Sequence, residues 1–100
     1  MFPDLNYTLK RLVRGLTSED GSVKEGLFLG LISVFRKFSK TIDTHKYLTL
    51  VEHETRTHNK MKQSEKSALI EGRVYSILAV IESASLEGLN SYVKRILDLL

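Results

Sequence analysis

One hundred residues leave room for a single domain, which buries somewhat under about 70% of the surface its unfolded chain exposes, and the absence of cysteine excludes a disulfide framework or a thiolate metal site and fits an intracellular chain. Fifteen basic against twelve acidic residues give a net charge of +3 and a pI near 9.3, a mild bias that suits a polyanionic partner. The opening Met1-Phe2-Pro3-Asp4 has neither the charged start nor the apolar core of a signal peptide, and the longest apolar stretch, Leu27 to Phe35, is roughly half of a bilayer crossing, so the chain reads as soluble with no membrane partner.

Proline occurs only at position 3, and the apolar residues recur at helical spacing, so nearly the whole chain reads as helix. The first helix, about Asp4 to Leu16, gathers Leu5, Leu9, Leu12, Val13 and Leu16 on one stripe and leaves a basic outer face. Ser22 and Glu25 have the spacing of a capping box and predict a second helix running to about Ser39. It is apolar almost all round, which predicts cover on several sides. A third helix, Thr44 to Arg56, opens after Asp43 and packs through Tyr47, Leu48, Leu50 and Val51. After a polar loop at residues 57–63, Ser64 is the expected cap of a fourth helix reaching Ala84, again apolar nearly all round. The fifth, from Leu86, uses Leu89, Tyr92, Val93, Ile96, Leu97 and Leu100.

A shift of 46 positions lays the second helix on the fourth and the third on the fifth: Gly26 falls on Gly72, Val34 on Val80, Tyr47 on Val93 and Val51 on Leu97. Helix pairs at this period are the mark of HEAT or armadillo arrays. The expected fold is therefore all-α, an α-solenoid of helical hairpins with about five helices, residues 1–100 forming one module of a longer array. Small residues line one side of each long helix: Ser22, Gly26, Gly30 and Ser33 in the second; Ala68, Gly72, Ser76, Ala79 and Ser83 in the fourth. Both stripes are expected to admit a neighbouring backbone, so that Gly26→Leu would push two helices apart.

Catalytic chemistry finds no foothold. His53 and His58 are five apart, about 140° round a helix, where a zinc protease pair needs four. Glu52 and Glu54 point to different sides, no DxD occurs, and none of Ser64, Ser67, Ser76, Ser83 or Ser85 stands in a GxSxG elbow. The pair Gly26 and Gly30 lies inside an apolar helix rather than in a phosphate-cradling loop. No catalytic, metal-binding or cofactor-binding residue is predicted. Three basic groups remain. Arg36, Lys37 and Lys40 complement a helix C-terminus. Lys10, Arg11 and Arg14 on the first helix, with Arg56, Lys60, Lys62 and Lys66 around the long loop, are the candidate nucleic-acid contacts, a solvated face being the alternative.

Leu5-Asn6-Tyr7-Thr8-Leu9-Lys10-Arg11-Leu12-Val13-Arg14-Gly15-Leu16 resembles the Y-A-L-K-R-L-(I/V)-x-G-L segment of the DNA polymerase phi family, also called the Myb-binding protein 1a family. The likeness continues through Val23 to Ser33 and through Glu71-Gly72-Arg73-Val74-Tyr75-Ser76-Ile77-Leu78-Ala79, in the right order and over nearly the whole chain. The resemblance implies a HEAT-like protein of the nucleus and nucleolus, linked to ribosomal DNA, ribosomal RNA synthesis, ribosome assembly and transcriptional co-regulation. The implied partners are ribosomal DNA or pre-ribosomal RNA and assembly or transcription proteins, met by a non-catalytic scaffold. Lys10, Arg11, Arg14 and Arg73 fall on matching positions, Arg73 with a structural reading as well, paired with Glu71 or a loop carbonyl. The family name implies a DNA polymerase, which would need clustered metal-binding carboxylates that the sequence does not display. A solenoid that binds only protein is the other alternative.

Overall fold

The computed structural model describes residues 4–83 and 86–100, with the side chains of residues 86–89 left aside. Five helices follow one another: α1 (Leu5–Leu16), α2 (Lys24–Lys37), α3 (Thr44–Glu54), α4 (Gln63–Ser83) and α5 (Leu86–Leu99). The all-α class is as the sequence predicts, and no strand occurs among the described residues. Ala84 and the side chain of Leu89, both assigned to helices from sequence, lie outside the described residues.

Two helix starts are set by local chemistry. Asp4 accepts from the Tyr7 amide at 3.3 Å, and Asp43 accepts from the amides of His45 and Lys46 at 3.0 and 3.3 Å, each satisfying donors that the helix leaves unpaired. The two caps predicted from sequence, Ser22 and Ser64, are corrected. Ser22 closes no capping box, because its amide and hydroxyl both donate to Asp20, at 3.0 and 2.7 Å, and α2 begins after Val23 without a side-chain cap. The same two bonds, the hydroxyl's the stronger, hold the Asp20 carboxyl below its ordinary pKa. Ser64 lies inside α4, which starts one residue earlier at Gln63, and its hydroxyl reaches Glu19 at 3.5 Å.

The molecule measures 38 × 33 × 20 Å, its short dimension about two helix diameters. α4 lies at the centre, packed on α1, α2 and α3, while α1 also packs on α2 and α3. Leu9, Val13, Leu16, Leu31, Leu48, Val51, Ile77 and Val80 form the middle of one buried cluster. Tyr47 stands in it with its hydroxyl donating to the Ser76 carbonyl at 2.9 Å and its ring edge-on to Phe35 at 4.6 Å. Burial pushes the Tyr47 hydroxyl far above the ordinary tyrosine pKa, the hydrogen bond opposing only in part.

The 46-residue repeat has a geometric counterpart. Lys24 of α2 bonds Glu71 of α4 at 2.7 Å, and Arg36 at the end of α2 faces Glu82 near the end of α4 at 3.9 Å, so the two helices run parallel. Arg95 of α5 likewise donates to Thr49 of α3 at 2.8 Å, 46 residues away. The insertion of α1 against both α2 and α4 gives a compact body within these extents rather than a visibly extended superhelix.

The two small-residue stripes have opposite fates. In α4, Ala68, Gly72, Ser76 and Ala79 are buried, and a Cβ on Gly72 would stand 2.7 Å from Thr17 Cγ2 and 3.0 Å from the Leu16 carbonyl oxygen. The end of α1 therefore approaches α4 as closely as only glycine allows. In α2, Ser22, Gly26 and Ser33 are exposed, and a Cβ on Gly26 would meet nothing within 4 Å. The expected close approach at Gly26 does not exist, and a larger side chain there pushes no helix away. Nor is either long helix covered all round: Leu29 on α2 and Ile70, Val74 and Leu78 on α4 are exposed. α5 buries Tyr92, Ile96 and Leu99 and leaves Val93, Leu97 and Leu100 outside; its backbone kinks at Tyr92 (φ −132°, ψ 16°).

Candidate nucleic-acid interface

Lys10 and Arg14 are four apart on α1 and so share a face, and what they face is Glu54, the last residue of α3. Arg14 Nε donates to Glu54 Oε2 at 2.9 Å and Lys10 Nζ lies 3.7 Å from Oε1. The Glu54 side chain is only 8% exposed, and Oε1 has the Lys10 ammonium 3.7 Å away but no hydrogen bond of its own. A nearly buried carboxylate needs such cations, so part of the charge of α1 serves to join α1 to α3. The Arg14 side chain remains 62% exposed, bonded through Nε. Arg11 points elsewhere, its guanidinium 5.8 Å from the Tyr7 ring centre on an exposed surface.

Two residues beyond Glu54, the α3–α4 loop presents Arg56, Lys60 and Lys62 to solvent, with Lys66 half-buried in the first turns of α4. Because Arg14 is held on Glu54, the α1 cations adjoin the start of this loop. Lys10 and Arg14 thus stand beside the end of α3, two residues before Arg56, and Arg11 does not share that contact. Acidic residues share this end of the molecule: Glu65 in the first turn of α4, and Glu19, whose carboxylate reaches Ser64. The surface is a mixed one in which the loop itself carries Arg56, Lys60 and Lys62 and no acid.

Arg73, Arg36 and Lys37 have structural roles, while Lys40 is exposed beyond the end of α2. Arg73 donates through Nε to the Thr55 hydroxyl at 2.8 Å and through a terminal nitrogen to the Leu99 carbonyl at 3.3 Å, fastening the ends of α3 and α5 to α4. It pairs with neither Glu71 nor a loop carbonyl, since Glu71 is taken by Lys24 and Leu99 closes a helix. Arg36 and Lys37 sit in the last turn of α2, where they complement its dipole. Arg36 in addition faces Glu82, and Lys37 lies 5.6 Å from the Phe38 ring centre.

The carboxylates diverge. Asp4 and Asp43 cap helices, Glu54 is covered by Lys10 and Arg14, Glu71 holds Lys24, and Glu52 lies 3.6 Å from Arg95. Among the described residues no group of three or more His, Cys, Asp or Glu side chains stands where it could hold a metal ion. His53 and His58 do not share a helix, because α3 ends at Glu54. A half-open groove of about 560 Å³ between α1 and the start of α3 has apolar walls from Leu5, Leu9, Ile42 and Leu50 and charges of both signs, Lys10 and Lys46 with Asp4 and Asp43, a poor match to a phosphate chain. No described helix is long and apolar enough to cross a membrane.

Glu54 and Lys24 are the residues that sequence reasoning missed. Their partners stand 40 and 47 positions away, beyond any helical spacing rule. Only the 46-residue shift hinted at Lys24, by placing it one step from register with Glu71.

Compared with known proteins, residues 7–100 match the family model described as DNA polymerase phi. No curated protein and no solved structure matches the chain.

Proposed function

The chain belongs to the DNA polymerase phi family, and from that premise we propose that it is a non-catalytic nucleolar scaffold module that binds ribosomal DNA or pre-ribosomal RNA, together with proteins, in ribosomal RNA transcription and ribosome assembly. The supporting observation is the α3–α4 loop. Arg56, Lys60 and Lys62 are exposed and carry no ion pair among the described residues, and Arg56 stands two residues beyond Glu54, which Lys10 and Arg14 face. Exposed cations on a short loop can follow a phosphate backbone without reading bases, and such binding weakens steeply as salt displaces the released counterions.

The family's name favours a second reading, template-directed nucleotidyl transfer. That chemistry needs carboxylates converging on a metal pair, whereas the acids described above are spent on caps and ion pairs. Incorporation of deoxynucleotides on a primed template by this chain would establish the second reading.

The first reading is tested by titrating the recombinant chain with ribosomal RNA and with duplex DNA at several salt concentrations. A folded chain should bind both, with affinity falling linearly in logarithmic salt. A folded chain that binds neither at low salt is a protein-binding module only.

A further inference from the structure

Positions 24, 28, 32 and 35 of α2 and positions 70, 74, 78 and 81 of α4 are the same places in the 46-residue repeat. In α2 these places are covered: Lys24 bonds Glu71, the Phe28 ring lies 5.4 Å from that of Tyr75, Ile32 is buried, and Phe35 packs on Tyr47. In α4 the same places hold Ile70, Val74, Leu78 and Ile81, between 38% and 56% exposed. α4 thus turns outward the side by which α2 is held.

The matching receptor lies about 100° round α2 from the covered side. Tyr75, which receives Phe28, corresponds to Leu29, and Leu29 is 58% exposed. Glu82, which faces Arg36, corresponds to Arg36 itself, and the two side chains are 63% and 64% exposed, with room for a second partner.

We propose that the outer face of α4 docks on the outer face of α2 of a second copy of this chain, head to tail and with the helices parallel, repeating between chains the contact that α2 makes with α4 within one. The same correspondence brings Val74 onto Leu29 of the second copy and Glu82 onto its Arg36, apolar on apolar and charge on opposite charge, while Ile70 falls beside its Glu25. Because the two faces differ, the contact is heterologous. Each added copy leaves one face of each kind free, and assembly proceeds to longer chains rather than stopping at a symmetric dimer.

The test is sedimentation of the 100-residue chain over a dilution series from about 1 mM to about 10 µM, a range that spans weak to moderate affinity. The wild type should exceed its monomer mass of 11.4 kDa and keep growing with concentration. Leu78→Glu spoils the α4 face and Leu29→Glu the α2 face; both sites are exposed, and circular dichroism checks that each variant folds, with Ile70→Glu as substitute for the first. Each variant alone should be monomeric, while an equal mixture should form a two-chain species that grows no further. A wild type that stays monomeric throughout overturns the proposal. So does loss of association in Leu78→Glu with no loss in Leu29→Glu, which would mean that α4 meets α4, and so does a mixture that fails to pair.

Discussion

α2 and α4 occupy the same places in an internal repeat and carry the same stripe of small residues, yet α4 buries its glycine against α1 and α2 shows its glycine to solvent. The pattern of a helix says which residues share a face. It does not say which face a neighbour will cover, because that depends on where the other helices come to lie. Here α1 packs across the end of α4 at Gly72, and nothing described stands in that relation to Gly26.

The comparison can be broken by substitution, and the largest effect belongs to Gly72. Gly72→Leu must displace the Leu16 backbone and should destabilise by about 3 kcal/mol, as overpacking against a rigid neighbour does, read as a drop in denaturation midpoint at constant slope. Next comes the bond by which α3 holds α4. Tyr47→Phe removes the hydroxyl from the Ser76 carbonyl and should cost about 1 kcal/mol. It also carries a pH signature. The Tyr47 pKa is raised by folding, so its contribution is complete below the unfolded tyrosine value of about 10 and declines as pH rises beyond it. Tyr47→Phe should accordingly narrow its deficit against wild type above that pH, and a deficit that stays constant would contradict the assignment. Smallest, and opposite in sign, is Gly26→Ala. With open space around it, the change should stabilise by about 0.5–1 kcal/mol through helix propensity alone. Equal penalties at Gly26 and Gly72 would erase the distinction.

What the sequence displayed depended on how far each cause reached along the chain. The Asp43 cap acts on amides two or three residues away, and the helix opening after it was legible, whereas Asp4, which the sequence places as the first residue of α1, is its cap. Legible too were the buried stripes of α1, α3 and α4, which follow from helical period. Ser22 misled because Asp20, two residues earlier, offered its donors a nearer acceptor than a capping box would. The exposed sides of α2 and α4 misled because apolar composition all round a helix was read as burial all round. Among the candidate contacts, Arg11, Arg56, Lys60 and Lys62 are exposed, as the sequence suggested. Lys10 and Arg14 turned out to serve Glu54 as well, a relation across 40 residues that no local rule contains.

That difference between the two basic groups allows the most direct test of the proposed function. Changing Lys10, Arg11 and Arg14 together would confound binding with the loss of the Glu54 anchor, whereas Arg56, Lys60 and Lys62 can be changed to Ala without disturbing a described ion pair. The measurement is the affinity of this loop variant and of wild type for duplex DNA across a salt series. If the loop follows the phosphate backbone, the variant should bind more weakly and its slope of logarithmic affinity against logarithmic salt should fall by about 2–3, close to one for each cation removed. A folded variant whose affinity and slope equal those of wild type would contradict the account.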